Sequence, residues 1–334
     1  MDLGNLEKVL AGEPAFRLGQ AKQAVFRDLI EDWQEATVLP LSLREKLSKD
    51  IPLKVVAEIS VSKDKKTIKA LINLKDDLKI EAVLMRHQDR NTVCLSSMVG
   101  CPLACEFCAT GKIGFKRNLT IAEIINQVLL FNRYLKKENQ RVNSIVFMGM
   151  GEPFLNYDNV LGAIRVLNDQ DYFNIGARHI SISTVGIIDG VEKLAKESLQ
   201  VNLAISLHAA NDSLRSEIMP INKNQSLGEV LKSVENYFKT TRRKVMFEYI
   251  MIAGINDSLK NARELTGLLA GLKSTAFMVN LISYNPTGIF KASTPKQIKD
   301  FKSVLEKSGI EVTQRYRFGQ TIKAACGQLA ADKT

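Results

Sequence analysis

The chain has 334 residues, 45% hydrophobic, 25% charged and 7% aromatic, and its 46 Lys and Arg against 36 Asp and Glu give a formal net charge of +10. This is the make-up of a globular protein of one large or two modest domains, and it excludes a collagen, a coiled coil or a disordered tail. No apolar run approaches the roughly 18 residues a membrane helix needs, and MDLGNLEKVL lacks the basic-then-apolar order of a secretory leader, so a cytoplasmic protein without a membrane partner is expected. Gathered on one face, the positive excess would suit a polyanion; spread evenly, it would only favour solubility.

Residues 1–50 are expected to be helical. Pro14 opens a stretch of good helix formers running through Trp33, proline being favoured in a first turn. Pro40 interrupts, and Ser42 is placed to cap a short helix over LREKLSKD. The apolar residues fall on one face, as in a small helical domain that docks on something else. From about Leu53 the period changes to two. VVAEISV, TIKALINL, KIEAVLM and NTVCLSS are predicted strands, joined by polar turns such as SKDKK and HQDRN. Residues 51–90 form a β-rich linker leading into the main domain, residues 91–334.

Beyond Cys108 helical stretches alternate with short apolar runs. The helices are TIAEIINQVLLFNRYLKK, NVLGAIRVLND, VEKLAKES, LGEVLKSVENYFKTT, ARELTGLLAGLK and PKQIKDFKSVLEKSG. The runs are SIVFM, HISIST, VNLAISL, VMFEYIMI and MVNLIS. Such alternation predicts βαβ units and a parallel sheet. With NTVCLSS first there are six units, fewer than the roughly eight of a closed TIM barrel. An open partial barrel or a doubly wound sheet fits, and either places the site at the C-terminal ends of the strands.

Five cysteines are present: Cys94, Cys101, Cys105, Cys108 and Cys326. An odd count, with three inside one short run, argues against a structural disulfide framework and for metal or catalytic use. Cys101-Pro-Leu-Ala-Cys105-Glu-Phe-Cys108 follows a predicted strand. Three thiolates at this spacing converge only if the backbone wraps a shared centre. An iron–sulfur cluster usually takes four cysteines, so three leave one iron open for chemistry. A zinc site would want a fourth ligand nearby, and His87, His179 and His208 all lie far along the chain.

This C-x3-C-x2-C run, with Phe107 before its last cysteine, resembles the signature of the radical S-adenosylmethionine (SAM) superfamily. That resemblance implies a [4Fe–4S] cluster held by Cys101, Cys105 and Cys108 with SAM on the open iron, in a partial (β/α)6 TIM-like barrel. Further stretches narrow it. NTVCLSSMVGCPLACEFCATGKIGFKRNLT, FMGMGEPFLN, ISLHAANDSLRSEIMPINK and the terminal AACGQLA are similar, almost end to end, to the RlmN/Cfr family of RNA adenine methyltransferases. The match implies SAM contacts at Gly151, Glu152, Ser183, Ser206, Leu207, His208 and Asn285. Alone, the Gly-Met-Gly-Glu turn is a weak signal, though it permits close backbone approach and its carboxylate can bind an ammonium group.

The same resemblance gives the outlying thiols a role. Adenine C2 is electron-poor, so polar methyl transfer from SAM should fail where radical addition succeeds. The family's route uses two SAM molecules per turnover. One methylates Cys326; the other yields the radical that activates the S-methyl group, which then joins protein to RNA. Glu81 matches the base that takes the ring proton, and Cys94 forms a disulfide with Cys326 to release the product. On residue type alone, Cys326 among alanines and Cys94 in a strand read as buried small hydrophobes. Glu81 could simply face solvent from an alternating strand; enclosed among apolar neighbours it would lose hydration, which favours proton acceptance.

The implied activity is methylation of C2 of adenine 2503 in 23S rRNA and of adenine 37 in tRNAs, with an electron donor such as a flavodoxin-type reductant; a monomer is the default expectation. C8 methylation of the same rRNA adenine is the alternative within the family, and Pro153 resembles the C2 type. A non-catalytic iron–sulfur or zinc RNA-binding module is the alternative outside it. Candidate RNA contacts are Lys112, Lys116 and Arg117, then Arg242, Arg243 and Lys244, and Arg315-Tyr316-Arg317-Phe318, where cations alternate with aromatics. The resemblance adds the N-terminal helices as a second RNA surface. Two positions depart from the family: Met98 where Gln is common, and Thr321 where an acid often stands.

Overall fold

A computed structural model describes residues 3–88, 90–272, 275–288, 290–316 and 318–331. The helical segment comprises α1 (Leu3–Val9), α2 (Phe16–Lys22) and α3 (Leu41–Asp50). The helix expected from Pro14 to Trp33 does not run through. A π-turn over Gln23–Arg27 ends it, Leu29 takes a left-handed φ of 56°, and a new turn at Trp33–Glu35 starts from an Asp32 capping box. Burial explains the break, because it lets Phe26, Leu29, Ile30 and Trp33 all face inward. Ser42 is not a cap either: α3 begins two residues earlier than expected, at Leu41, with Pro40 at the N-cap.

The segment docks on the helix after the cysteine loop, α5 (Ile121–Lys136). Arg133 of α5 is buried and donates to the carbonyls of Leu53 (2.8 Å) and Ile30 (2.5 Å). Phe26 packs edge-on against Tyr172 and Phe173, each at 5.1 Å.

The strands β1 (Ala57–Val61), β2 (Thr67–Asn73), β3 (Lys79–Arg86) and β4 (Asn91–Cys94) pair antiparallel in sequence. From β4 the sheet becomes parallel and continues through β7 (Ser144–Phe147), β8 (Ile180–Thr184), β9 (Asn202–Ser206), β10 (Val245–Met251), β11 (Phe277–Ser283) and β12 (Val312–Gln314). Between β4 and β7 lie a hairpin of β5 (Met98–Gly100) and β6 (Phe115–Asn118), the short α4 (Ala109–Lys112) and α5 (Ile121–Lys136).

The crossovers are α6 (Tyr157–Asn168), α7 (Ile188–Lys196), α8 (Asp212–Ile218) with α9 (Leu227–Thr241), α10 (Leu259–Ala270) and α11 (Pro295–Lys307). The six βα units therefore stand, extended by a seventh parallel strand, β12, which is too short to leave a sequence signal. Among the described residues the sheet stays open, with β1 and β12 at its edges. This is a partial barrel rather than a doubly wound sheet. Capping boxes at Thr120, Ser226, Ser258 and Thr294 start four of the helices, each worth about 1 kcal/mol. No described helix is long and apolar enough to cross a membrane.

Candidate active site

The cysteine loop is shaped by backbone first. Gly100 closes the β5–β6 hairpin at φ 76°, where a Cβ would fall 1.7 Å from the Gly114 carbonyl oxygen. That carbonyl accepts the Cys101 amide at 3.0 Å. Ala104 takes a left-handed φ of 49°, and the Cys108 amide turns back to the Cys105 carbonyl at 3.0 Å. The Glu106 amide ties the loop to Ile218 at 3.1 Å, and the Phe107 ring stands edge-on to His208 at 4.9 Å.

All three thiols open into one cavity of about 150 Å³. Its walls come from strand C-terminal ends: Gly149, Gly151 and Glu152 after β7, Ser183 on β8, Ser206 at the end of β9, and His208. Burial pushes the Cys101 thiol up to about 12 and Cys105 well above its ordinary value, an electrostatic cost that metal ligation relieves. Among the described residues no three His, Cys, Asp or Glu side chains sit close enough for a single metal ion. A cluster takes one thiolate on each of several irons, and a set of three thiols suits iron–sulfur chemistry.

Glu152 is the buried anion of this chamber. It accepts the amides of Phe154 (3.0 Å) and Val185 (2.9 Å), and desolvation still raises its carboxyl to about 7. His208 lies at the opposite extreme, since burial and then Arg215 lower it to about 3, which keeps the imidazole neutral. Met98 packs beside Gly151, its side chain 2.6 Å from where a Cβ there would stand, and is not itself among the residues lining the chamber. Thr321 is exposed and leaves the chamber untouched.

A second cavity adjoins the first. It is lined by Val83, Met85, Cys94, Asn285, Tyr316 and Cys326 among others. Cys326 lines both cavities, as do Met148, Ile282 and Arg315. The Cys326 carbonyl accepts Asn285 Nδ2 at 3.1 Å, so Asn285 meets the C-terminal segment in the second cavity. Leu207 is fully buried and presents its backbone, donating to the Glu248 carbonyl at 3.0 Å. Cys94 is buried and its thiol is raised to about 12, by desolvation first and then by Cys326, with Arg315 acting against both.

Sequence reasoning missed the ion pair between the cavities. Arg315 lies 3.3 Å from Glu248, which accepts Ser183 Oγ at 2.7 Å, and it also donates to Met148 Sδ at 2.7 Å. A lone acid in the apolar run VMFEYIMI was the available signal, the same one that marks Glu81. Glu81 is likewise not alone: Lys69 Nζ stands 2.6 Å from Oε1, and Oε2 accepts the Ala330 amide at 2.9 Å.

The basic groups divide. Arg117 is engaged by Asp76 and Glu123. Lys112 donates to the Thr287 carbonyl, and Lys116 is exposed. Arg243 donates to the carbonyls of Leu199 and Val201, and Lys244 pairs with Glu311, at the end of β10 away from the chambers. Arg242 is exposed beside them. Arg315 is half-buried, its side chain 21% exposed, while Tyr316 is 64% exposed and stands edge-on to Phe318 at 4.8 Å. Arg317 lies outside the described residues.

The radical SAM superfamily profile matches residues 95–266, which holds the cysteine loop and the first chamber's strands. A probable dual-specificity RNA methyltransferase RlmN of Dictyoglomus turgidum is 44% identical over 322 residues, covering 96% of this chain and 92% of the relative. The chain belongs to the RlmN/Cfr family of radical SAM enzymes. Its relatives include a probable dual-specificity RNA methyltransferase RlmN 2 of Protochlamydia amoebophila, 45% identical over 96% of this chain and 89% of that one. A solved radical SAM methyltransferase from Sphaerobacter thermophilus superposes with a TM-score of 0.95 at 41% identity, covering 99% of this chain and 98% of its own. The hydrogenase maturase HydG of Carboxydothermus hydrogenoformans shares only the fold, with a TM-score of 0.51 at 14% identity over 69% of this chain and 54% of that one. The family implies a [4Fe–4S] cluster and SAM.

Proposed function

We propose that this chain methylates RNA, at C2 of adenine 2503 in 23S rRNA and C2 of adenine 37 in tRNAs. The observation that carries this reading is Cys326, which faces both the chamber of the three cysteines and the cavity of Cys94. A methyl carrier needs both addresses, one where it is loaded and activated and one where it is discharged. The relatives' designation as probable dual-specificity RNA methyltransferases points the same way.

In this reading Cys101, Cys105 and Cys108 hold the cluster, and Gly151, Glu152, Ser183, Ser206 and His208 of the chamber wall contact SAM, with Asn285 reached from the adjoining cavity and the buried Leu207 contributing from behind the wall. When bound, the cluster and SAM supply a carbon radical by reductive cleavage of the sulfonium. Cys326 accepts a methyl group from one SAM and carries it to the adenine. Glu81 takes the ring proton. Cys94 attacks Cys326, so the sulfur–carbon bond breaks as the sulfur–sulfur bond forms and the freed methyl carbon takes a proton; the one electron left over from radical addition would be accepted by the oxidised cluster that Cys101, Cys105 and Cys108 would hold. Cys94 and Cys326 are not joined by a disulfide here, as that sequence requires at its outset.

Residues 1–50 are the accessory RNA surface, residues 51–90 the linker and residues 91–334 the catalytic core. The enzyme acts as a cytoplasmic monomer, with a flavodoxin-type protein as donor.

The test is an anaerobic reaction of cluster-loaded protein with dithionite, SAM and unmodified rRNA, read by mass spectrometry of the adenine. C2 methylation with 5′-deoxyadenosine is expected; C8 methylation would overturn the regiochemistry. RNA binding with intact SAM would favour a non-catalytic module. Cys94→Ala should stall covalently attached to RNA, and Cys326→Ala should methylate nothing.

A further inference from the structure

Glu81 sits in a built environment that its assignment as a base does not by itself explain. Side chains two apart on a strand share a face, so Glu81 lies on the β3 face that carries Val83 and Met85 into the Cys94 cavity. Lys69 is directly opposite Val83 on β2, on that same face, and Cys94 is opposite Val83 on β4. The Lys69 and Glu81 side chains are 16% and 6% exposed, and they meet at 2.6 Å. The remaining oxygen of Glu81 accepts the Ala330 amide, four residues past Cys326. The same terminal segment is fastened by Ala109 N to the Gly327 carbonyl at 2.7 Å and by Thr110 Oγ1 to the Leu329 carbonyl.

We propose that Lys69 is a positioning residue, which clamps the Glu81 carboxylate between β2 and the C-terminal segment and so aims it at the ring proton of the adenine attached to Cys326. This rests on the reading of Glu81 as the base. A carboxylate free to rotate on its strand would swing among rotamers. One oxygen on an ammonium and the other on a backbone amide leave a single orientation, with lone pairs to spare on each oxygen. The amide that completes the clamp belongs to the segment that carries the methyl group. The base is therefore aligned when the carrier segment is seated, which couples loading of Cys326 to readiness for proton removal. A buried ion pair can also serve only to brace a sheet, and the test separates the two roles.

Lys69→Met and Lys69→Arg are compared with the wild type, each loaded with cluster and methylated on Cys326, in single turnovers on RNA bearing hydrogen or deuterium at adenine C2. Lys69→Met should accumulate the protein–RNA adduct and resolve it about tenfold or more slowly, with an enlarged deuterium isotope effect. Lys69→Arg, which restores the charge, should recover both to within a few-fold. Should Lys69→Met fail to fold, Lys69→Gln is read the same way. Wild-type rate and isotope effect in the uncharged variant would overturn the proposal, as would an arginine variant no faster than it. If the wild type itself yields neither adduct nor methylated RNA, the functional reading falls and the role of Lys69 with it.

Discussion

Lowering the pH from 7 to 6 should weaken SAM binding through Glu152. Burial raises this carboxyl to about 7, so its ionised fraction drops from roughly one half to one eleventh, about a fivefold loss of the charged form. A ligand ammonium selects the carboxylate, so apparent affinity should fall by about the same factor, near 1 kcal/mol. At pH 7 binding should also release about half a proton, measurable by calorimetry in two buffers of different ionisation enthalpy. Glu152→Gln should bind more weakly and lose the pH step. The sign for stability follows from the same shift. The folded state keeps this proton up to about 7, while the unfolded chain sheds it near the ordinary value of 4.5. The group therefore erodes stability as pH rises through that window, and bound SAM should offset the loss. Equal affinity at pH 6 and 7 without proton release would refute this account of Glu152.

Gly100→Ala should leave the barrel folded but strip the cluster, because both its φ of 76° and the Gly114 carbonyl exclude a side chain; iron content and visible absorbance read the outcome. Arg133→Ala leaves two carbonyls without their buried donor, and a loss of about 2–4 kcal/mol in denaturant unfolding is expected. Cys94, raised to about 12, should be thiolate in only about one molecule in ten thousand at pH 8, against about one in four for an ordinary cysteine. Its alkylation by iodoacetamide should therefore run about two-thousandfold slower in native than in unfolded protein, as followed by peptide mass spectrometry.

The sequence made the repeating units plain because period is a local property. Strands such as VNLAISL and VMFEYIMI fall within a residue or so of their observed bounds. It misjudged the segment from Pro14 to Trp33, where propensity favours one helix and the burial of Phe26 and Trp33 favours a broken one. It passed over β12, whose three residues are held by pairing with β11. The cysteine triplet could be recognised from spacing, whereas Arg117 and Arg243 looked like free cations until their partners came into view.

The chain's own order determined the βα alternation, the cysteine ligand set and the positions of Cys94, Glu81 and Cys326, since each is written in periodicity, spacing or likeness to a family. Only the tertiary structure decided which of them share a wall. It set Cys326 between two cavities, joined Arg315 to Glu248 inside the barrel and put Lys69 against Glu81. Arg315 and Glu248 come from segments far apart in sequence, Lys69 and Glu81 from neighbouring strands, and in both cases the partners are fixed by register and burial, which no local pattern encodes.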